Sequence, residues 1–90
     1  MIRHVFKWAL RTGGGPQKLG LYDGYQVLSV QMQGGTLCLW ALVDTDAPAV
    51  NLDILVIATG HNCLETFAKY LGTVQDGPYV WHVFARIPKE

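Results

Sequence analysis

The sequence predicts an all-β fold: a compact antiparallel β-sandwich or barrel-like domain of about six to seven strands. Three observations carry this expectation. Turn-forming clusters, among them Gly13-Gly14-Gly15-Pro16, Asp23-Gly24, Asp46-Ala47-Pro48 and Asp76-Gly77-Pro78, punctuate the chain about every 8–14 residues. The runs between them are rich in β-branched and aromatic residues, and several alternate apolar with polar at the period of a strand. The stretch Tyr25–Asp44 combines both signals, because two apolar runs flank Gly34-Gly35, residues suited to the positive φ that a two-residue hairpin turn demands.

Strands are expected over 2–11, 17–21, 25–33, 36–44, 51–59, 69–75 and 79–86. In the first, Ile2, His4, Phe6, Trp8 and Leu10 occupy one face. Arg3, Lys7 and Arg11 occupy the other, a basic strand edge that discourages pairing with another chain. The third and fourth strands form the Gly34-Gly35 hairpin. Pairing Gln33 with Thr36 sets Met32 opposite Leu37, Val30 opposite Leu39 and Leu28 opposite Ala41, an entirely apolar face. The other face pairs Gln31 with Cys38, Ser29 with Trp40, Val27 with Leu42 and Tyr25 with Asp44. Strand 36–44 is hydrophobic on both sides and belongs at the centre of a sheet.

Strand 51–59 is nearly continuous in apolar residues and is also placed inside, with Asp53 near a strand end or pointing outward. Residues 62–71 are ambiguous. Asn62 suits a helix cap with Glu65 three residues on, and Leu64, Phe67, Ala68 and Leu71 lie at helical spacing. One short helix near 62–70 would make α+β the alternative fold class. The last hairpin turns at Asp76-Gly77, with Pro78 where a missing ladder donor costs least.

Ninety residues suit one domain, 1–90, with a thin core that dimerisation would help. Half of the residues are hydrophobic and only 16% are charged, against a usual share of about 25%, so the surface is weakly protected against association. A protein partner or a homodimer is therefore favoured. The formal net charge is zero, whereas nucleic-acid binders carry a basic excess, so nucleic acid is disfavoured. No segment approaches the ~20 apolar residues of a membrane span. The first residues interrupt any leader-like apolar run with Arg3, His4 and Lys7, so a cytoplasmic protein is expected, with Cys38 and Cys63 reduced.

The chemistry-bearing residues are few. His4, His61 and His82 lack metal-site spacing, and no metal or cofactor is expected. The loop Thr59, Gly60, His61, Asn62 leaves a buried strand and is the best loop candidate for binding. Thr59 and Asn62 are explained equally well as turn or cap residues. A His61–Cys63 nucleophile–base pair has no evident orienting group. Asp44 and Asp46 read as turn residues, and the triple glycine reads as a flexible connection. Among the aromatics, Tyr25, Trp40, Tyr79 and Trp81, interleaved with Ser29 and Gln31, suit a protein interface or a nucleobase-stacking platform as well as a sandwich core.

The stretches SVQMQGGTLCLWALVDTDAP (29–48), ATGH (58–61), YLGTVQ (70–75) and VWHVF (80–84) resemble a family of small uncharacterised proteins encoded by bacteriophages and prophages. The resemblance covers nearly the whole chain and departs over 11–24 and 62–69. It implies no reaction. It implies a genomic setting in which accessory proteins act by stoichiometric binding, including inhibition of host defence. The leading expectation is accordingly a non-enzymatic protein that binds a host protein in the host cytoplasm. The alternative is capture of a nucleotide-like signalling molecule, with Trp40 or Trp81 stacking and the His61 loop contacting polar groups. A small hydrolase centred on His61 and Cys63 comes third.

Overall fold

In the computed structural model, which describes residues 2–86, seven strands form: β1 (His4–Ala9), β2 (Gln17–Tyr22), β3 (Gln26–Gln33), β4 (Thr36–Val43), β5 (Ala49–Ala58), β6 (Lys69–Asp76) and β7 (Tyr79–Ala85). They make two antiparallel sheets, β1-β4-β3 and β2-β5-β7-β6, a β-sandwich as the turn spacing predicts. The two strands that are apolar on both faces, β4 and β5, are indeed interior strands of their sheets. Among the described residues there is no helix, and so none long and apolar enough to cross a membrane.

The hairpin turns follow their glycines. Gly34 and Gly35 have φ of +57° and +81°, and Gln33 pairs with Thr36, Met32 with Leu37 and Val30 with Leu39. The last hairpin turns one residue later than the expected Asp76-Gly77: Asp76 pairs with Tyr79, so Gly77-Pro78 is the turn, with Gly77, at φ +56°, taking the position Pro78 cannot. Between the sheets, Leu37, Leu39, Ala41 and Val43 of β4 meet Leu52, Ile54 and Val56 of β5, with Leu19, Leu21 and Val83 completing the layer.

One expected register fails halfway along β3. A bulge between Val27 and Ser29 sets Val27, not Leu28, opposite Ala41, and Gln26 opposite Leu42. One extra residue flips every side chain before it to the other face of the sheet. Val27 and Tyr25 consequently turn onto the core, while Leu28, expected inside, is 46% exposed. The exchange half-buries an aromatic ring at the expense of one leucine.

The sandwich is drawn together at its two sides by small residues. β3 lies against β6 where Gly72 faces Val30 so closely that a Cβ on Gly72 would overlap Val30 Cγ2. Gly72 follows a second bulge, between Tyr70 and Gly72. At the opposite side Trp8 Nε1 donates to the Gly20 carbonyl oxygen at 3.2 Å and covers the open edge of β2.

The stretch 62–68 forms no helix. A turn at Glu65-Thr66, closed by Phe67 N–H donating to the Leu64 carbonyl at 2.9 Å, presents Phe67 to the interior. Phe67 is wholly buried, and Leu64 is half exposed. Seven residues are too few to repay helix nucleation, and burial of one aromatic ring outweighs the weak helical pattern.

Candidate functional site

The six residues expected to share an aromatic-polar surface lie in three places. Ser29, Gln31 and Trp40 stand on the outer face of the first sheet, where Ser29 pairs with Trp40 and Gln31 Nε2 donates to Ser29 Oγ at 2.9 Å. Lys7 pairs with Trp40 from β1, and its Nζ donates to Gln33 Oε1 at 2.7 Å. Tyr25 has been carried to the core side by the β3 bulge, and burial pushes its phenol pKa up. Tyr79 and Trp81 stack at 5.9 Å on the core-facing side of β7, with Trp81 packed against the core cluster. The outer face of one sheet and the inner face of the other make no common surface.

The loop residues Thr59, His61 and Asn62 sit where two features meet. The first is a chain of side-chain hydrogen bonds on the outer face of the second sheet. His82 Nε2 lies 2.7 Å from Thr59 Oγ1, and His82 Nδ1 lies 3.1 Å from Thr73 Oγ1. Thr73 Oγ1 in turn lies 2.6 Å from the Tyr70 hydroxyl. Each ring nitrogen thus engages one threonine hydroxyl, and Thr73 links the imidazole to the Tyr70 hydroxyl. Three sequence stretches, ATGH, YLGTVQ and VWHVF, each supply a member.

The second feature is an open cleft of about 600 Å³ at the end of β5, lined by Gly13–Pro16 on one side, Gly60, His61, Asn62 and Leu64 on the other, and Trp81. Its floor is a strand edge. β2 begins at Gln17, opposite Ile54, so β5 has no neighbour there beyond Ile54. Thr59 N–H donates to the Val80 carbonyl and Arg86 N–H to the Asp53 carbonyl, which directs the odd-numbered backbone of β5 at β7. By antiparallel alternation the N–H and C=O of Val56 and the N–H of Ala58 face the cleft. The Ala58 carbonyl is taken by His61 N–H at 3.1 Å.

Two clamps hold the walls. Gln17 is buried, its Oε1 accepts from Arg11 N–H and its Nε2 donates to the Arg11 carbonyl, both at 2.9 Å. The triple glycine, each residue at φ between +82° and +86°, is therefore the turn of a pinned loop and not a slack connection. Gln17→Leu removes both bonds and is expected to cost about 1–2 kcal/mol in urea unfolding. On the other wall, Arg86 Nε donates to Asp53 Oδ2 at 2.9 Å and Arg86 Nη1 to Thr66 Oγ1 at 3.3 Å. Its guanidinium lies 4.6 Å above the Phe67 ring. The hydrogen bond from Lys18, with Arg86 beside it, holds the Asp53 carboxyl below the usual carboxylate range.

The His61–Cys63 pair does not form a dyad. The Cys63 thiol donates to the Phe67 carbonyl at 3.4 Å and lies 3.8 Å from the Leu64 carbonyl, bracing the loop. Among the described residues no three His, Cys, Asp or Glu side chains come together in a metal-binding group. Among the described residues one buried side-chain polar atom is left over: Trp81 Nε1, beside the cleft, has no hydrogen-bond partner. Sequence reasoning passed over Thr73, His82 except as a metal ligand, Gln17 and the open end of β5. The hairpin at Gly77-Pro78 carried a usable signal for the first two, since its register sets Thr73 opposite His82.

Over residues 1–90 the chain matches the family described as Domain of unknown function (DUF7352), and it belongs to that family. No curated protein and no solved structure matches it.

Proposed function

We propose that this member of the DUF7352 family is a non-enzymatic binding protein that holds an extended segment of a host protein, one to one, in the cleft at the open end of β5. The observation that carries the reading is the cleft floor, where three main-chain groups of Val56 and Ala58 face outward between two pinned loops. Such an edge recognises another backbone by adding a strand, and adjacent apolar side chains supply specificity. Leu64, half exposed on the rim, and Trp81 supply those here. The resemblance to phage-encoded proteins supports a host target in the host cytoplasm, and inhibition of an anti-phage defence protein is the outcome such binding would serve.

Leu64→Asp tests this. The side chain is exposed, so stability should change by less than about 0.5 kcal/mol. Recovery of the host protein that co-purifies with the wild type should fall at least tenfold. Recovery unaffected by Leu64→Asp but abolished by Trp40→Ala would move the site to the outer face of the first sheet.

A second reading, sequestration of a nucleotide-like signal, draws support from the unpartnered Trp81 N–H beside His61 and Asn62 in the same cleft. Its volume lies within the range of about 300–1,000 Å³ typical of small-molecule sites. Purified protein that carries a small molecule released on denaturation, and no protein partner, would make this the function.

A further inference from the structure

We propose that a second copy of this chain pairs with β1, joining two three-stranded sheets into one continuous sheet. The inference is independent of the cleft. β1 is an edge strand, and the Leu10 N–H bond to the Leu37 carbonyl at 2.8 Å directs the even-numbered backbone of β1 at β4. The N–H and C=O groups of Val5, Lys7 and Ala9 therefore point away from the protein. Around this row stand exposed apolar side chains, Ile2 at 74%, Val5 at 56% and Phe6 at 39%. His4 stacks on Phe6 at 5.6 Å and the Phe6 ring meets Trp8 tilted, at 6.2 Å, an aromatic ladder on the core-facing side of the strand that the chain's own second sheet leaves partly uncovered.

An edge that can pair with itself points to a second copy as occupant, and charge narrows the register. A two-fold antiparallel pair centred on Lys7 would oppose Lys7 to Lys7 and Arg3 to Arg11. Centred on Val5 it would oppose Arg3 to Lys7. Like charges directly opposite one another are destabilising. Centred on Phe6, the pairing sets Lys7 opposite Val5 and Arg3 opposite Ala9, with no cation facing a cation. The same register brings Phe6 against Phe6 and His4 against Trp8 as non-hydrogen-bonded pairs, where side chains lie closest. The basic residues of β1 thus disfavour the registers centred on Val5 and Lys7, and among those centred on His4, Phe6 or Trp8 the Phe6 register pairs the most of β1. Lys7 itself is drawn across the outer face to Gln33, away from the open edge.

The test is the mass of the full chain by sedimentation equilibrium at tens to hundreds of micromolar. Wild type should give twice the 10.0 kDa of one chain. Lys7→Pro removes an outward N–H that serves no bond within the protein, so it should leave the circular dichroism unchanged and give a monomer. Lys7→Ala should remain dimeric. Should the proline variant fail to fold, Phe6→Cys in a Cys63→Ser background reads the register: mild oxidation should link two chains through residue 6, whereas Val5→Cys should not. A monomeric wild type, or cross-linking at Val5→Cys with none at Phe6→Cys, would overturn the proposal.

Discussion

Gly72→Ala is expected to destabilise the fold by about 1–3 kcal/mol, the usual cost of overpacking a tight core. Glycine at this position does not supply a special φ; it supplies an absence of volume. The bulge of β6 carries its backbone onto β3, and the β-branched Val30, 8% exposed, has no room to move aside. The mechanism predicts its own remedy. Val30→Ala alone costs stability by leaving a cavity, but in the Gly72→Ala background it should return part of what was lost. A double-mutant cycle in urea, followed by tryptophan fluorescence, should show coupling of at least about 1 kcal/mol, within the range for residues in contact. Additive losses would mean that β3 and β6 do not meet at this point.

Phe67→Ala has the larger expected effect, about 3–5 kcal/mol, as for other buried phenylalanines. Phe67 is wholly buried in a loop without regular structure, and it lies under Arg86, which is itself bonded to Asp53 and Thr66. Phe67 is the one buried side chain between Thr59 and Lys69, and with the Cys63 and Arg86 bonds it sets the course of the loop. Because the same loop carries His61, Asn62 and Leu64 to the cleft, its loosening should weaken partner binding as well as stability. Phe67→Leu, which keeps most of the apolar volume, should lose less of both. Equal loss of binding in the two variants, with stability restored only by leucine, would separate the anchor from the cleft.

Much of the fold is legible in the sequence because its signals are local. Gly34-Gly35 and Gly77-Pro78 set hairpin registers within a few residues, and two-sided apolar runs placed β4 and β5 inside their sheets. The failures come from interactions distant in sequence. Nothing local announces that a bulge at Leu28 will send Tyr25 to the core; what drives it is the space available between two sheets. The helical spacing of Leu64, Phe67 and Leu71 is present, yet Phe67 gains more by packing beside Arg86, nineteen positions along the chain, than a short helix could return. Candidate residues fared according to the same division. Thr59, His61 and Asn62 follow a strand end and stayed near one another, His61 and Asn62 lining the cleft and Thr59 bonding His82 on the outer face. Tyr25, Trp40 and Trp81 depended on which face of which sheet they joined, and they were separated. The open end of β5 is the consequence of where β2 starts, which the loop at Gly13–Pro16 and the Gln17 clamp decide between them.

Backbone hydrogen exchange along β5, measured with and without the purified host partner, addresses the cleft most directly. In the unbound protein the amides of Leu55 and Ile57, directed at β7, should exchange slowly, while those of Val56 and Ala58 should exchange faster. Saturating partner should slow Val56 and Ala58 and leave Leu55 and Ile57 as they were. Unchanged exchange at Val56 and Ala58, with the perturbation falling instead on Ser29, Gln31 and Trp40, would contradict capture at the open end of β5.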